Sequence, residues 1–287
     1  MQFSIVTPSF NRIDAISRAI GSVAGQNGIV REHIVQDNRS TDGTAEFLAD
    51  FEANSSLLRA NSYTFSYESE NDKGMYDAIN RGWSRASGDI LSWLNCDEQY
   101  LPGTLGKVQA IFNKHPDVGV VYGNAIIVDA AGSAISARRE IPMDRRMIAN
   151  TFLNIFSCAT FFRRSLWDRN LLRLDNSYRY AADMELVLRL LREGVRTHYL
   201  DDYLSLFQAD ESNLSRHGGM QRETVKVQEL YGASSVVFRK FMRLQRWGKR
   251  LFRGCYLSQR IEYEYALDEV PNYRPFKATC GGTFRFK

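Results

Sequence analysis

The 287-residue chain has few cysteines and no long apolar run. Its four cysteines, Cys96, Cys158, Cys255 and Cys280, form no CxxC pair, which argues against a zinc site, a redox dithiol and a disulfide scaffold. Scattered cysteines of this kind fit a reducing compartment. Strand-like residues begin at Phe3 and leave no room for a signal peptide, so a cytoplasmic location is expected. The longest apolar stretch, Phe152 to Phe162, is broken by Asn154 and Ser157 and is too short to span a bilayer. There is no GxGxxG and no GxxxxGK[ST], so neither dinucleotide nor P-loop binding is supported. Internal repeats and low-complexity segments are absent too.

What is present is an ordinary globular composition, 44% hydrophobic and 24% charged, with a net charge of +4. The charge is unevenly placed. Residues 217–287 carry 14 basic and 6 acidic residues, while the first 216 are net acidic. A nucleic-acid enzyme would be basic around its catalytic body, and no nucleic-acid module is recognisable, so no nucleic-acid partner is expected.

The first half alternates between two periodicities. FSIVT (3–7), HIVQ (33–36), YTFSYE (63–68) and ILSWLN (90–95) read as strands. Helices are expected over about 12–26, after a cap at Ser40 or Thr41, and over 75–86. This order predicts an α/β fold with a mixed, mainly parallel central sheet and helices on both faces. Polar residues cluster at four successive strand ends: Thr7, Ser9 and Asn11; Asp37 and Asn38; Asn71 and Asp72; Asn95, Asp97 and Glu98. Ligands bind outside the carboxyl ends of such strands. Turn chemistry explains any one cluster, but four together point to one lined crevice. Carboxylates without a glycine-rich loop hold a diphosphate only through a hard cation such as Mg²⁺ or Mn²⁺.

SIVTPSFNR (4–12), HIVQDNRSTDGT (33–44), ENDKGMYDAINRG (70–82), SGDILSWLNCDEQYLPGTL (87–105) and YRYAADMELVLRLLREG (178–194) follow one another in the order seen in family-two glycosyltransferases. The chain resembles bacterial members that build cell-surface polysaccharides, over about residues 3–215. The resemblance implies a GT-A (Rossmann-like) domain over 1–216, with a nucleotide-binding half (1–98) and an acceptor half (99–216). A basic, helical C-terminal extension would follow over 217–287.

The resemblance also implies roles. Thr7, Ser9, Phe10 and Asn11 match the nucleotide-pocket loop, Asp37 the carboxylate that bonds the base, and Asp72 and Lys73 a further pocket loop. Asn95-Cys96-Asp97 stands where the family has its DXD motif. Asp97 would bind the metal, Mn²⁺ or Mg²⁺. Asn95 supplies no charge where the motif has its first Asp, and neighbouring Glu98 would compensate. His217 would approach the metal from the C-terminal side.

Asp183 matches the family's general base. On a helical projection it shares the apolar stripe of Leu186, Val187 and Leu190, with Glu185 and Arg189 as a surface pair opposite. By its position alone, Asp183 is equally a helix-N-terminal carboxylate.

The implied activity is inverting, metal-assisted transfer from a nucleoside-diphosphate-sugar, UDP-linked, to a hydroxyl of a glycan or lipid-linked acceptor. A nucleotidyltransferase and a non-catalytic sugar-nucleotide-binding scaffold are the alternatives. The first would want glycines after strand one, and PSFNRID lacks them.

From Ser235 to Ile261 there are eight basic residues and no acidic one. Their spacing predicts a basic amphipathic helix lying peripherally on an anionic membrane surface, or packed on the body with its basic face solvated. The stretch from about 265 to 287 reads as irregular.

Overall fold

The computed structural model describes residues 1–59, 62–209 and 218–283. The first half winds as β1 (Gln2–Ser9), α1 (Ile16–Ala24), β2 (Val30–Asp37), α2 (Thr44–Asn54), β3 (Tyr63–Ser69), α3 (Met75–Arg85) and β4 (Ile90–Trp93). β5 (Glu98–Tyr100), α4 (Thr104–Lys114), β6 (Val118–Val128), β7 (Ala134–Arg138) and α5 (Arg145–Asn150) follow. Then come β8 (Thr160–Arg163), α6 (Ser165–Asp168), α7 (Ala182–Arg192) and β9 (Arg196–Gln208). The extension holds α8 (Gly218–Leu230), α9 (Val236–Phe252), β10 (Gln259–Ala266) and β11 (Tyr273–Cys280).

The central sheet runs β3-β2-β1-β4-β8-β6-β9-β5, with β7 on β6. β3, β2, β1 and β4 are parallel; β8 is antiparallel to both β4 and β6. The expected mixed sheet is therefore present. Side chains of β1 alternate between its faces, as the strand period requires. Phe3 and Ile5 join Ile16, Ile20, Val35 and Phe161 on one side. Val6 joins Ile79, Trp83, Trp93, Leu186 and Leu190 on the other.

Local chemistry sets the helix ends. Buried Arg31 donates from Nε to the Val23 carbonyl (2.8 Å) and from Nη2 to that of Ala24, satisfying the end of α1. The expected cap of α2 at Ser40 or Thr41 is not formed. The Ser40 hydroxyl is taken by Asp37, and the helix starts at Thr44, whose amide and hydroxyl donate to Asp42 (3.1 and 2.6 Å). α3 lies close on β1 because residue 82 is glycine. A Cβ there would sit 2.4 Å from Val6 Cγ1. Gly82→Ala is expected to destabilise the fold by about 1–3 kcal/mol, against the usual helix preference for Ala, which urea denaturation would read.

The extension departs from expectation in two ways. Within the stretch from about 265 that reads as irregular, β11 forms and closes an antiparallel hairpin with β10, whose Tyr263 and Tyr265 pack with Ile126 and Leu206. The basic helix ends at Phe252 and packs on the body with part of its basic face turned inward rather than solvated. Two of its arginines face inward: Arg246 and Arg250 are buried, while Arg243, Val237, Phe241, Leu244, Trp247 and Phe252 are exposed. The cause is buried Glu140, which draws Arg250 Nη1 (3.0 Å) and Arg138 Nε (2.7 Å). An ionised carboxylate away from water needs such partners. No helix among the described residues is long and apolar enough to cross a membrane.

Candidate functional site

A crevice of about 1000 Å³ opens at the carboxyl ends of β1 to β4. It gathers Ser9, Phe10, Asn11, Asn38, Asp72, Lys73, Asn95, Cys96, Asp97 and Glu98. Asp183 enters from the first turn of α7. The four strand ends converge as the sequence predicts. Thr7 and Asp37 do not line the crevice; they lie beneath it, fully buried. His217 lies outside the described residues.

The loops are tied to each other. Asn11 takes a left-handed backbone (φ 50°), which Asn tolerates better than most residues. Its Oδ1 accepts from the Thr41 amide (2.8 Å), and its own amide donates to Ser40 Oγ (2.8 Å). Asp37 in turn accepts from the Ser40 amide (2.9 Å) and the Ser69 hydroxyl (2.6 Å), joining the ends of β2 and β3. With the Ser40 hydroxyl, Asp37 accepts three hydrogen bonds from these loops. Thr7 Oγ1 is 2.8 Å from His33 Nε2, and His33 Nδ1 is 3.1 Å from the Tyr63 hydroxyl. Burial lowers His33 to about 3, so this relay is uncharged at neutral pH.

Asp72 accepts from the Gly74 amide (2.7 Å), and its own amide donates to Asn38 Oδ1 (2.9 Å). Gly74 has φ 110° and ψ 178°, a conformation reserved for glycine. Burial raises the Asp72 carboxyl, and the nearby Asp77 and Asp37 carboxylates add to the rise. Cys96 donates to the Pro8 carbonyl (3.2 Å), and burial pushes its thiol up to about 12, so it is no nucleophile.

Around Asp97 the chemistry suits a cation. Arg12 Nη1 lies 3.4 Å from Asp97 Oδ2. Glu98 Oε2 accepts from the Asn95 amide (2.8 Å), but Glu98 Oε1 and Asn95 Oδ1 are buried with no hydrogen-bond partner among the described residues. Burial, then the charge of Asp97, pushes Glu98 up to about 8. Two orphaned oxygen acceptors beside a carboxylate fit a hard divalent cation. Among the described residues no group of three His, Cys, Asp or Glu is poised to hold one.

Asp183 is partly buried and accepts from the Met184 amide (2.8 Å). Burial pushes its carboxyl up to about 6, a value suited to taking a proton near neutral pH. Glu185 is not the surface residue expected. It pairs with Arg189 (2.9 Å), but it is buried, and the hydroxyl of Tyr231, the residue after α8, donates to it (2.6 Å).

Sequence reasoning missed the residue that holds this turn in place. Glu223 of α8 accepts from the backbone amides of Arg179, Tyr180 and Ala181 (2.9, 2.7 and 3.1 Å). These amides precede the first turn of α7, and a carboxylate is the favoured partner there. No local pattern points to Glu223, because its partners lie more than forty residues earlier. Arg12 and Tyr76 were missed too, though both sit inside matched segments and line the crevice.

The profile of Glycosyl transferase family 2 matches residues 4–169, more than half of the chain. The chain belongs to this family. It is 32% identical over 190 residues to an uncharacterized glycosyltransferase of Mycobacterium tuberculosis, covering 65% of this chain and 67% of the relative. It is 29% identical over 191 residues to a PGL/p-HBAD biosynthesis glycosyltransferase of Mycobacterium bovis, covering 65% and 68%.

Among solved structures it is similar to S. aureus TarS 1–349 in complex with UDP-GlcNAc. The TM-score is 0.61 at 17% identity, over 88% of this chain and 73% of that one. It covers only 45% of the longer TarS chain. It is also similar to the mannosyltransferase PcManGT of Pyrobaculum calidifontis in complex with GDP-Man and Mn²⁺. Here the TM-score is 0.60 at 17% identity, over 85% and 69%. At this identity the likeness shows the fold, which is of the GT-A type, with helices on both sides of the sheet. This glycosyl transferase family 2 chain keeps Asp97 and Asp183 on one crevice.

Proposed function

We propose that the chain is an inverting hexosyltransferase. It would move a sugar from a nucleoside-diphosphate-sugar, UDP-linked, to a hydroxyl of a glycan or lipid-linked acceptor in polysaccharide or glycolipid synthesis. The observation that carries this reading is the pairing of roles in one crevice. A cation-suited cluster at Asn95, Asp97 and Glu98 shares the cavity with a carboxyl held near 6 at Asp183. The solved neighbours with UDP-GlcNAc and with GDP-Man and Mn²⁺ support the donor class.

In this reading Ser9, Phe10, Asn11 and Lys73 hold the nucleotide, with Asp37 and Thr7 fixing the loops from below. Asp97, with the Asn95 and Glu98 oxygens, would hold Mn²⁺ or Mg²⁺. Bound there, the ion would supply Lewis-acid stabilisation to the leaving diphosphate. Asp183 accepts the proton of the acceptor hydroxyl. That oxygen forms a bond to the anomeric carbon as the carbon–diphosphate bond breaks on the opposite face, inverting the configuration. Proton transfer to a positioned base contributes typically about 10² to 10⁴ in rate. Residues 1–216 form the transferase domain in this reading, and the 217–287 extension completes it through Glu223 and the crevice-lining Met220.

The test is the melting temperature with UDP, GDP, dTDP or CDP, each with and without Mn²⁺. One diphosphate is expected to stabilise selectively. At a hundredfold excess over Kd the gain is about 2.7 kcal/mol. Mn²⁺ should enlarge the shift, and Asp97→Ala should remove the Mn²⁺-dependent part. A folded protein that no nucleotide stabilises would sink the reading and favour a scaffold.

A further inference from the structure

α9 is mounted with its polarity reversed relative to an ordinary surface helix. Its inward side is Met242, Arg246 and Arg250. Its outward side is apolar: Val237, Phe241, Leu244, Trp247, Leu251 and Phe252 are 77%, 56%, 64%, 53%, 47% and 92% exposed. At 100° per residue these side chains share an arc of about 140°, on a helix about 25 Å long. Contiguous exposed apolar surface of this kind marks an interaction site.

Beside this face lies a second cavity of about 450 Å³, separate from the crevice. Arg138, Arg243, Arg246 and Arg250 line it, and Trp247 belongs to both the cavity and the apolar face. Among the described residues the carboxylate beneath is Glu140, already shared by Arg138 and Arg250. Arg246 is only 3% exposed. Its Nη1 donates to the Phe152 carbonyl (2.9 Å), and its guanidinium lies 3.5 Å from the Phe152 ring centroid. Its Nε and Nη2 have no hydrogen-bond partner among the described residues. A buried guanidinium with two unused donors, among three others and one acid, is built for an oxyanion. Guanidinium forks match phosphate in both charge and geometry.

The charge pattern decides what covers the apolar face. Lys240 lies within the arc and Arg243 at its margin, and the segment 235–261 holds no acid. A second copy docked on the same face would appose like charges with nothing in either helix to answer them. An anionic bilayer answers both features: acyl chains for the apolar arc, and headgroups for the cations and for the long stem of Lys240. We propose that α9 lies in the interface of an anionic bilayer, with one lipid phosphate held by Arg246 in the adjoining pocket.

Phe152 lines this pocket and Ser157 lines the crevice. Five residue steps reach at most about 18 Å, so the bilayer surface would lie close to one wall of the crevice. The proposal does not depend on the donor assigned above.

The experiment is co-sedimentation of the full chain with vesicles. One set is phosphatidylcholine alone; in the other, part of it is replaced by phosphatidylglycerol. The wild type should bind the mixed vesicles and bind phosphatidylcholine far more weakly. Phe241→Ser with Leu244→Ser should weaken binding by more than about tenfold, with an unchanged melting temperature, because both side chains are exposed. Arg246→Gln should reduce the preference for phosphatidylglycerol. Because Arg246 is buried, the rim variant Arg243→Gln serves as a second probe and should act in the same direction.

Wild-type protein that stays in the supernatant with both vesicles overturns the proposal. Binding indifferent to phosphatidylglycerol and to both arginine variants overturns the phosphate site. Displacement from mixed vesicles by millimolar inorganic phosphate, with equal stabilisation of the free protein, assigns the pocket to a soluble anion instead. A vesicle-independent dimer that the Phe241/Leu244 variant abolishes assigns the face to a second copy.

Discussion

Asp183→Asn is expected to lower kcat by about 10² to 10⁴-fold while raising the stability of the protein at pH 7. Both effects have one cause. Burial pushes the carboxyl up to about 6 from its ordinary 3.8, so the folded chain binds this proton more tightly than the unfolded chain does. The stability linked to that proton is fully present below pH 3.8 and is lost as pH rises to about 6. Above that, the ionised carboxylate costs about 1–3 kcal/mol, allowing for its partial exposure. Asn keeps an acceptor for the Met184 amide and carries no charge. Its melting temperature at neutral pH should therefore rise by several degrees, and the gain should vanish below about pH 4. In the wild type, kcat/KM should fall as pH drops below about 6, where Asp183 takes up its proton. A variant that loses activity and stability together would make Asp183 a structural carboxylate.

The second large effect is expected at Glu223, far from the segments that carry the family pattern. Glu223→Ala leaves three backbone amides ahead of α7 without their acceptor. The cost is about 2–4 kcal/mol, since hydrogen bonds to a charged group are worth more than neutral ones and do not add fully. The turn bearing Asp183 then loses its fixed position, so kcat should fall at saturating donor while donor KM changes little. Glu223→Gln keeps one acceptor oxygen and should recover part of both losses. Paired urea denaturation and initial-rate measurements separate the outcomes. An intact kcat in a destabilised Glu223→Ala protein would mean that the clamp serves stability alone.

Much of the crevice was legible because each contribution is local. A β-branched strand followed by a polar loop identifies its own carboxyl end, and four such loops place Ser9, Asn38, Asp72 and Asp97 together. The alternation of strands and helices likewise gives the sheet and its covered faces. What was not legible depends on partners distant in sequence. Thr7 and Asp37 have the right residue types, but their bonds to His33, Ser40 and Ser69 turn them into floor rather than wall. Glu185 reads as a surface residue on its own helix, but it is buried with a bond from Tyr231, 46 residues later. α9 shows the same limit. Its periodicity is plain, but which side faces inward is decided by Glu140, about a hundred residues earlier.

The Glu223 clamp also has a consequence for the order in which the protein becomes complete during synthesis. Asp183 leaves the ribosome forty residues ahead of Glu223. At about 5–20 residues per second, a nascent chain spends about 2–8 s with Asp183 made and the Glu223 clamp missing. The strand-end loops can form in that interval, but the turn that presents Asp183 cannot yet be fastened. Readiness is thus set by the last part of the chain to appear, and a polypeptide cut short before α8 would hold every crevice loop yet lack the piece that fixes them to work together.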